Sequence, residues 1–439
     1  RRNDWENRYR VSYKDLADGA GEMKTEIQTK AGSKDNRGAR LELQQTMDFT
    51  LGGDHLLWDK LQTDWMVSYS RASEDRPDER YFTIKQKDMT IDMEDEGGRQ
   101  PYAITPISVH DGDWEVDEFT NANEWIRENE WKAKVDFELP LASGLFGNSL
   151  KFGAKYTHKH KTKEVLCYDY KDGYEDIYGT DYTNYYTSQI RDGFMPGDQY
   201  KAMDFVSKDY LEQFNAKDWA LLGGEQVLEE SAGDYDATEQ VTAAYLRFTQ
   251  KLGRKFTVMA GLRMEYTDLE TSGFNWNIDE NGDESLDPTG KFKNNYISWL
   301  PSFLVKWDAT DDLKVRASYT KTLARPKYSH LVANASYNTE ESPVEITLGN
   351  PDLKPITSHN FDLSGEYYFK SVGLVSAALF YKRVKDYSVN LKRDMAYGNY
   401  AEAEVSQPLN AFDADLLGVE IGFQRDFGFI SPALRCVGF

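Results

Sequence analysis

The feature that most constrains this chain is a set of strand patterns about a dozen residues long. Between Tyr296 and Phe369 there are three of them, namely Tyr296–Trp307, Leu313–Thr322 and His359–Phe369. Apolar and polar residues alternate along them, and a period of two places the apolar set on one face of a strand. Strands of soluble domains average about five or six residues, whereas a strand that crosses a membrane needs about 9–11. The pattern therefore predicts membrane-spanning strands.

Short links and long segments alternate between the strand patterns of the whole chain. The clearest further patterns are Gly38–Leu51, Leu61–Arg71, Glu124–Leu139, Ser149–Lys163, Val241–Gln250, Lys255–Thr267, Leu374–Tyr387 and Asp413–Asp426. The long segments, predicted as loops, are Met89–Asn123, Glu164–Glu239, Asp268–Asn295 and Asn390–Ala411. Short periplasmic turns opposite long extracellular loops are typical of outer-membrane barrels. We predict an all-β fold, an incomplete antiparallel transmembrane β-barrel with about fourteen strands and long extracellular loops.

Two motifs occur in the central stretch. Arg316–Pro326 reads RASYTKTLARP, and Gly349–Pro355 reads GNPDLKP and leads into an aromatic strand. In this order, and with the preceding LPSFLVKW strand, they resemble the barrel of TonB-dependent outer-membrane receptors. The resemblance implies a barrel of about 22 strands with an N-terminal plug in its lumen. We expect residues 1–439 to be part of such a barrel, without the plug and without the opening and closing strands.

The resemblance also implies a function and a location. Such receptors capture a scarce ligand on extracellular loops in the outer membrane of a Gram-negative bacterium. A TonB complex, acting on the plug, then drives uptake. We expect as partners outer-membrane lipid, the TonB complex through the plug region, and a small-molecule or oligosaccharide ligand of glycan or siderophore type. Two alternatives stay open, a soluble secreted β-sandwich that binds carbohydrate and an outer-membrane barrel enzyme.

The second motif has a physical interpretation of its own. The dipeptides Asn-Pro and Lys-Pro restrict the backbone and remove hydrogen-bond donors, so the segment cannot continue a strand ladder. We predict a rigid loop that either shapes the barrel rim or contacts ligand directly. The motif residues considered are Arg325, Pro326, Gly349, Asn350, Pro351, Asp352, Leu353, Lys354 and Pro355.

Composition is compatible with this class. Mean hydropathy is −0.70, and no apolar run approaches the ~20 residues of a membrane-spanning helix. A barrel needs no such run, because each strand exposes only alternate residues to lipid. Aromatic residues make up 14% of the chain, which fits aromatic girdles and a sugar-binding surface equally well. The net charge of −22 argues against a nucleic-acid partner.

Charged residues on the polar side of the strand patterns are the candidate ligand path. Their apolar neighbours should face lipid, so these side chains should point into the lumen: Lys151, Lys155, Arg263, Glu265, Arg316, Glu366 and Glu420. They either line the substrate path or contact water and the plug. The tyrosines of the long acidic segment either stack on sugars or aromatic ligands, or pack that segment: Tyr168, Tyr170, Tyr174, Tyr185 and Tyr186.

Other chemical signals are weak. His158 and His160 lie two apart on one strand face, but no third ligand completes a metal site. Asp279–Ser285 resembles a calcium loop, yet its Gly is misplaced and a solvated acidic loop is favoured. Cys167, placed in a long loop, and Cys436 are not expected to pair. Without a phosphate-binding loop or nucleophile elbow we predict no cofactor, no metal and no catalysis.

Overall fold

The computed structural model describes residues 6–17, 20–94, 102–103, 114–179, 186–188, 204–279, 281–338, 343–369, 373–425, 427 and 431. Antiparallel strands account for most of them. No helix in this described part of the chain is long and apolar enough to cross a membrane.

The strands, numbered in chain order, are β1 Glu6–Ala17, β2 Ala20–Ala31, β3 Leu43–Leu57, β4 Leu61–Glu94, β5 Tyr102–Ala103, β6 Glu115–Ala142, β7 Asn148–Asp169, β8 Tyr186–Ser188, β9 Asp204–Val206, β10 Glu225–Gln226, β11 Tyr235–Leu252, β12 Phe256–Ile278, β13 Glu284–Pro288, β14 Phe292–Asp308, β15 Leu313–Ala324, β16 Ala335–Asn338, β17 Val344–Leu348, β18 Ile356–Tyr368, β19 Gly373–Tyr397 and β20 Tyr400–Arg425. The helices are α1 Lys171–Tyr178, α2 Lys208–Leu211, α3 Ala216–Leu222, α4 Leu228–Ser231 and α5 Tyr328–Leu331. Single 3-10 turns occupy Lys34–Asn36 and Gly144–Phe146.

From β11 onward, each long strand pairs with the next long strand along the chain. The β11–β12 ladder runs from Tyr235 opposite Gly273 to Leu252 opposite Phe256, and it closes through a turn in which Gly253 has a φ of 66°. Antiparallel ladders then join β12 to β14, β14 to β15, β15 to β18, β18 to β19 and β19 to β20. This up-and-down order is the one that tight turns permit.

The chain divides into two compact units, and four of the described strands, β3, β4, β6 and β7, contribute residues to both. The second unit comprises Met47–Arg71, Glu128–Thr162 and Tyr235–Phe439. Along its strands, large apolar side chains are exposed at alternate positions: Leu246, Leu262, Ile297, Trp299, Phe303, Trp307, Phe361, Leu363, Leu379, Val419 and Ile421. The intervening side chains are mostly polar. The alternation read from the sequence is therefore present as two distinct faces.

The first unit comprises Arg1–Thr46, Ala72–Arg127 and Lys163–Asp234. Here β2 pairs with β1 on one side and with residues 80–92 of β4 on the other. The helices α1, α2 and α3 pack on this sheet around a buried aromatic core: Phe82, Phe119, Tyr174, Phe205, Phe214 and Trp219. Phe119 is at the centre, with ring centroids of Phe82 at 5.1 Å and of Phe214 at 5.0 Å.

Several predicted strand ends were wrong, because the ladders continue past them. β4 extends to Glu94 instead of ending at Arg71, and β6 begins at Glu115, inside the predicted loop Met89–Asn123. β12 extends to Ile278 into the predicted loop Asp268–Asn295. Backbone hydrogen bonds maintain a ladder wherever a neighbour is present. Side-chain alternation weakens where neither face is uniformly apolar, so it marks these ends poorly.

The other two predicted loops also contain regular structure. Asn390–Ala411 is a hairpin between β19 and β20, closed by Gly398 with a φ of 56°. The described residues of Glu164–Glu239 form the end of β7, the helices α1 to α4, the short strands β8, β9 and β10, and the start of β11. Cys167 accordingly lies in β7 and is buried, not in a loop. Cys436 lies outside the described residues.

Candidate functional site

The polar face of the second unit carries a network of ion pairs between β6 and β7. Lys151 Nζ lies 3.8 Å from Glu138 Oε2. Further along β7, Lys159 Nζ lies 3.1 Å from Glu128 and 3.4 Å from Glu130, both on β6. Opposite charges on adjacent strands thus neutralise each other across the ladder.

Arg325, from the first family motif, joins this face to β11 and β12. Its Nη2 donates to Glu265 Oε2 at 2.7 Å and to Thr267 Oγ1 at 3.1 Å, and its Nε lies 3.5 Å from Glu239 Oε2. Arg263 Nε donates to the other Glu265 oxygen at 2.7 Å. Glu265 therefore accepts from two guanidinium groups, and the predicted path residues Arg263 and Glu265 form one cluster with the motif arginine.

Lys155 differs from its neighbours. It forms no ion pair within 4.0 Å with any residue that the structure describes, although both charge signs surround it. The charged groups that act electrostatically on Lys155 are Lys132, Arg263, Glu130 and Glu265. Lys132 pairs with Glu130 and Arg263 with Glu265, so the two carboxylates that act on Lys155 are each in direct contact with another cation.

The remaining path candidates lie elsewhere on the same unit. Arg316 on β15 pairs with Glu366 on β18 at 2.7 Å, and Tyr368 donates to Glu366 at 2.6 Å. Glu420 on β20 is exposed. The structure therefore brings Arg263, Glu265 and Lys155 together, and forms a separate pair from Arg316 and Glu366.

The second family motif joins backbone segments. The Asn350 side chain donates to Pro408 O at 2.9 Å, and its own N–H donates to His330 O at 2.8 Å. A Cβ added at Gly349 would lie 1.7 Å from Val332 O, so only glycine permits this approach. These contacts connect the motif to β20 and to the α5 segment.

The rest of the motif continues these contacts. Asn294 donates to Pro351 O at 2.7 Å, and Lys354 N–H donates to Asn410 Oδ1 at 2.9 Å. Leu353 is buried against Leu269, Leu331 and Tyr328. Pro355 is buried, Pro326 is half-buried between β15 and α5, and Asp352 is exposed.

Tyr328 connects this apolar cluster to the ion-pair network. Burial raises the pKa of its hydroxyl well above the usual range, and the nearby Glu239 carboxylate, to which it is hydrogen-bonded, raises the pKa further. The hydroxyl therefore stays protonated and donates to Glu239 at neutral pH. One segment thus carries both an apolar and an ionic attachment to β11 and β12.

The tyrosines of the long segment occupy different environments. Tyr174 is buried in the aromatic core of the first unit, and its hydroxyl lies 2.8 Å from that of Tyr210. The Tyr170 ring lies 4.5 Å from that of Trp219. Tyr168 is half-buried. Tyr185 and the side chain of Tyr186 lie outside the described residues.

The weaker chemical signals have local partners. His160 Nε2 lies 2.8 Å from Asp236 Oδ2, which pairs it across strands rather than with His158. The Asp279 carboxylate accepts the N–H groups of Asn281 and Asp283 at 2.8 and 3.0 Å and so closes the β12–β13 turn. Among the described residues no group of three or more His, Cys, Asp and Glu could hold a metal ion.

Sequence reasoning missed part of the network. Lys159 and Lys161 continue the two-residue period of Lys151 and Lys155 along β7, and that signal was present in the sequence. Glu239 and Thr267 gave no such signal. Their role depends on Arg325, which lies 58 residues after Thr267 and still further after Glu239 and meets them only in the fold.

Comparison with known proteins identifies the family. Residues 87–435 match the family described as TonB dependent receptor-like, beta-barrel. This chain belongs to that family, and its antiparallel sheet is part of a transmembrane β-barrel of the Gram-negative outer membrane. The family consists of receptors and transporters. The match confirms the predicted fold class, the predicted location and the resemblance to TonB-dependent receptors. No curated protein matches the chain.

Solved structures similar to this chain include three receptors. The ferric-catecholate import receptor Fiu of Escherichia coli K12 is 10% identical with a TM-score of 0.46, over 97% of this chain and 62% of that one. The Serratia marcescens hemophore receptor HasR is 11% identical with a TM-score of 0.43, over 97% and 60%. The Pseudomonas aeruginosa ferric enterobactin receptor PfeA is 13% identical with a TM-score of 0.43, over 96% and 58%. The chain spans about three fifths of the length of these receptors.

Proposed function

We propose that this chain forms the wall and capture loops of a receptor that takes up a scarce ligand, of glycan or siderophore type, by TonB-coupled active transport. One observation carries the proposal. The same long strands expose large apolar side chains on one face and a network of paired charges on the other. A wall with these two faces separates lipid from an aqueous, polar path.

Within that path, Lys155 is the residue we propose to meet the ligand. Its neighbours form ion pairs with one another, so the ligand can approach Lys155 without first breaking a salt bridge. A carboxylate, a catecholate or a polarised sugar hydroxyl would each accept a hydrogen bond from the ammonium. Arg263, Arg316, Glu366 and Lys151 are proposed to line the path in their paired state.

The segment between Arg325 and Pro355 is proposed to act as a fixed rim. It is attached by the guanidinium of Arg325, by the backbone contacts of Gly349 and Asn350, and by buried Leu353. The polar groups of these residues form their hydrogen bonds and ion pairs with other parts of the protein. We therefore propose a structural role for the motif, and assign ligand contact to Lys155 and to Tyr168, near the end of β7.

An uptake experiment tests the proposal. The receptor gene is deleted, and the strain is complemented with wild type, Lys155→Ala, or Lys255→Ala as a control at an exposed lysine beside a tight turn. Cells are screened with labelled oligosaccharides and ferric siderophores, with and without a protonophore. We expect wild type and Lys255→Ala to restore proton-gradient-dependent uptake of one ligand class, and Lys155→Ala to reduce it by about tenfold, the loss of one charged hydrogen bond.

Two results would count against the proposal. Uptake that is insensitive to the protonophore would contradict the proposed TonB coupling. Equal uptake by Lys155→Ala and wild type, at equal amounts of heat-modifiable barrel in the outer-membrane fraction, would remove Lys155 from the ligand path.

A further inference from the structure

The exposed apolar face of β15, β18 and β19 changes its chemistry in regular rows. Because opposite residues of an antiparallel ladder point to the same side, each row continues across the three strands. An apolar row is followed by an aromatic row and then by a row with two cations. Read toward the long connections, the three rows are Ala317, Leu363 and Leu379, then Tyr319, Phe361 and Tyr381, then Lys321, His359 and Arg383.

The aromatic row is continuous. The ring centroids of Tyr319 and Phe361 lie 5.0 Å apart, and those of Phe361 and Tyr381 lie 6.1 Å apart. Phe361 is exposed, as is Leu363 in the row before it. Aromatic residues in such a band mark the level at which a bilayer changes from acyl chains to headgroups. The third row should therefore lie among the headgroups.

This third row carries positive charge. His359 has Lys321 opposite it on one side and Arg383 on the other, and Lys385 follows Arg383 by two residues on the same face. We call these four residues the cationic row. None of its three cations forms an ion pair with any residue that the structure describes. Among the described residues, the charged groups that act electrostatically on His359 are these three cations alone.

The carboxylates of this face lie beyond Arg383, at the β20 edge. Asp415 is opposite Arg383 and accepts a hydrogen bond from the Tyr381 hydroxyl at 2.6 Å. Asp413 accepts the N–H of Asp386, which lies at a register shift of β19, at 3.3 Å. The three aspartates are therefore at one end of the cationic row, and two of them already accept hydrogen bonds from the protein.

Lys321 is at the other end of the row. Three strand spacings separate β15 from β20, which is about 14 Å, whereas salt screens exposed charges over about 8 Å under physiological conditions. His359 lies beside Lys321, and its Nδ1 is 3.0 Å from the Tyr319 hydroxyl. When Tyr319 donates this hydrogen bond, Nε2 carries the ring proton and can donate to a ligand. Positive charge and hydrogen-bond donors thus coincide at Lys321 and His359.

From this arrangement we propose that the cationic row binds the phosphate of one anionic lipid of the outer leaflet. The row lies about 7 Å beyond the aromatic row, toward the long connections, which form the extracellular end of an outer-membrane barrel. Phosphate oxygens accept from Lys321, Arg383 and Lys385, and the acyl chains cover the aromatic and apolar rows. A lipid fits better than a free anion, because the exposed side chains beneath the row need an apolar cover.

Lipid titration in detergent tests the proposal. The full-length receptor is mixed with phosphatidic acid or with phosphatidylcholine of identical acyl chains, and bound lipid is counted by native mass spectrometry. The site variant is Lys321→Gln with Arg383→Gln and Lys385→Gln. We expect wild type to bind one phosphatidic acid more tightly than phosphatidylcholine. The site variant should bind phosphatidic acid about 100-fold more weakly, since each basic residue beside an anionic membrane contributes about fivefold.

Two further variants separate the site from general effects. The charge-matched control is Lys251→Gln with Arg254→Gln and Lys255→Gln, three exposed basic residues around the β11–β12 turn, and it should bind as wild type does. Asp413→Asn with Asp415→Asn removes two carboxylates and should bind phosphatidic acid more tightly, a gain that misfolding cannot produce. All variants must show the heat-dependent gel mobility of a folded barrel.

Other outcomes overturn the proposal. Equal binding of phosphatidic acid by wild type and the site variant would mean that the lipid binds elsewhere. Equal weakening in the charge-matched control would mean a general effect of net charge. Equal affinity of wild type for the two lipids would mean that the face is covered by lipid without selection of a headgroup. Displacement of the lipid by inorganic phosphate alone would make the row a site for a free anion.

Discussion

The two units of this chain use the same types of aromatic residue in opposite ways, buried in the first unit and exposed in the second. In the first unit Phe119 is 0% exposed and Trp219 is 9% exposed, because they fill a core between a sheet and short helices. In the second unit Phe303 is 46% exposed and Trp299 is 55% exposed, both on β14. Burial here depends on what surrounds a face, not on residue type.

The comparison explains the energetics of each unit. The first unit stabilises itself as a water-soluble domain does, through apolar area removed from water and interlocking rings. The second unit leaves its apolar side chains for acyl chains to cover, and its polar face is held by ion pairs and by the Arg325 attachment. Substitutions should therefore have different consequences in the two units.

The largest expected effect is loss of the aromatic core. Phe119→Ala removes the ring that contacts Phe82, Tyr174, Phe214 and Trp219, and should cost about 3–5 kcal/mol of local stability. Limited proteolysis should then cut the α1–α3 region while the second unit stays protected. Leu221→Ala, at an exposed position of α3, is the control. Equal protease resistance of Phe119→Ala and the control would contradict the assigned core.

The next largest effect is expected on the exposed apolar face of the second unit. Leu363→Arg places a charge on the exposed apolar face of β18 and should cost about 2–4 kcal/mol in a bilayer. Ser318→Arg, on the polar face beside Asp362, is the matched control, since its charge meets a carboxylate. Reversible unfolding in lipid vesicles measures both. A greater loss from Ser318→Arg would reverse the assignment of faces.

Arg325 tests the polar face itself. Arg325→Gln removes contacts to Glu265 and Glu239 and should cost about 1.5–3 kcal/mol, the range for hydrogen bonds to charged groups. Arg316→Gln, which removes the more exposed pair with Glu366, should cost at most about 1 kcal/mol. Hydrogen exchange of the α5 segment reports the difference. Unchanged hydrogen exchange of the α5 segment in Arg325→Gln would show that Arg325 does not attach the rim segment.

Gly349 tests the close approach in the second motif. Gly349→Ala forces a Cβ against Val332 O and should cost about 1–3 kcal/mol. Gly365→Ala on β18 meets nothing within 4 Å and should be close to neutral. Thermal unfolding of the two variants in the same detergent provides the measurement. Equal midpoints for both would show that the motif has room for a side chain.

A further expected effect is a pH dependence in the first unit. Burial raises the pKa of Asp234 to about 7, against the usual 3.8, although Val165 N–H donates to it at 2.7 Å. Its contribution to stability is therefore full below about pH 4 and is lost as the pH rises through about 7. Asp234→Asn keeps the acceptor and should gain stability relative to wild type as the pH rises from 4 to 8. A constant difference over that range would exclude ionisation of Asp234 as its cause.

The sequence predicted the second unit well, because alternation over a dozen residues leaves few alternatives. Leu313–Thr322 lies within β15, and His359–Phe369 and Lys255–Thr267 each extend one residue beyond β18 and β12. The first unit was predicted poorly. The core around Phe119 joins residues from β4, β6 and the α1–α3 segment, and such long-range packing has no local period. The Arg325 cluster was predicted in part, since the motif marked the arginine and the alternation marked Arg263 and Glu265, whereas nothing marked Glu239.

The most direct test of the account is a scan of side-chain environment along β18. With Cys167 and Cys436 replaced by serine, single nitroxide labels at residues 360–365 are measured in lipid vesicles against oxygen and a water-soluble relaxation agent. The account predicts that labels at Phe361 and Leu363 respond to oxygen, and that those at Asn360 and Ser364 respond to the aqueous agent. Equal aqueous access at all six positions would contradict a membrane-spanning strand with two faces.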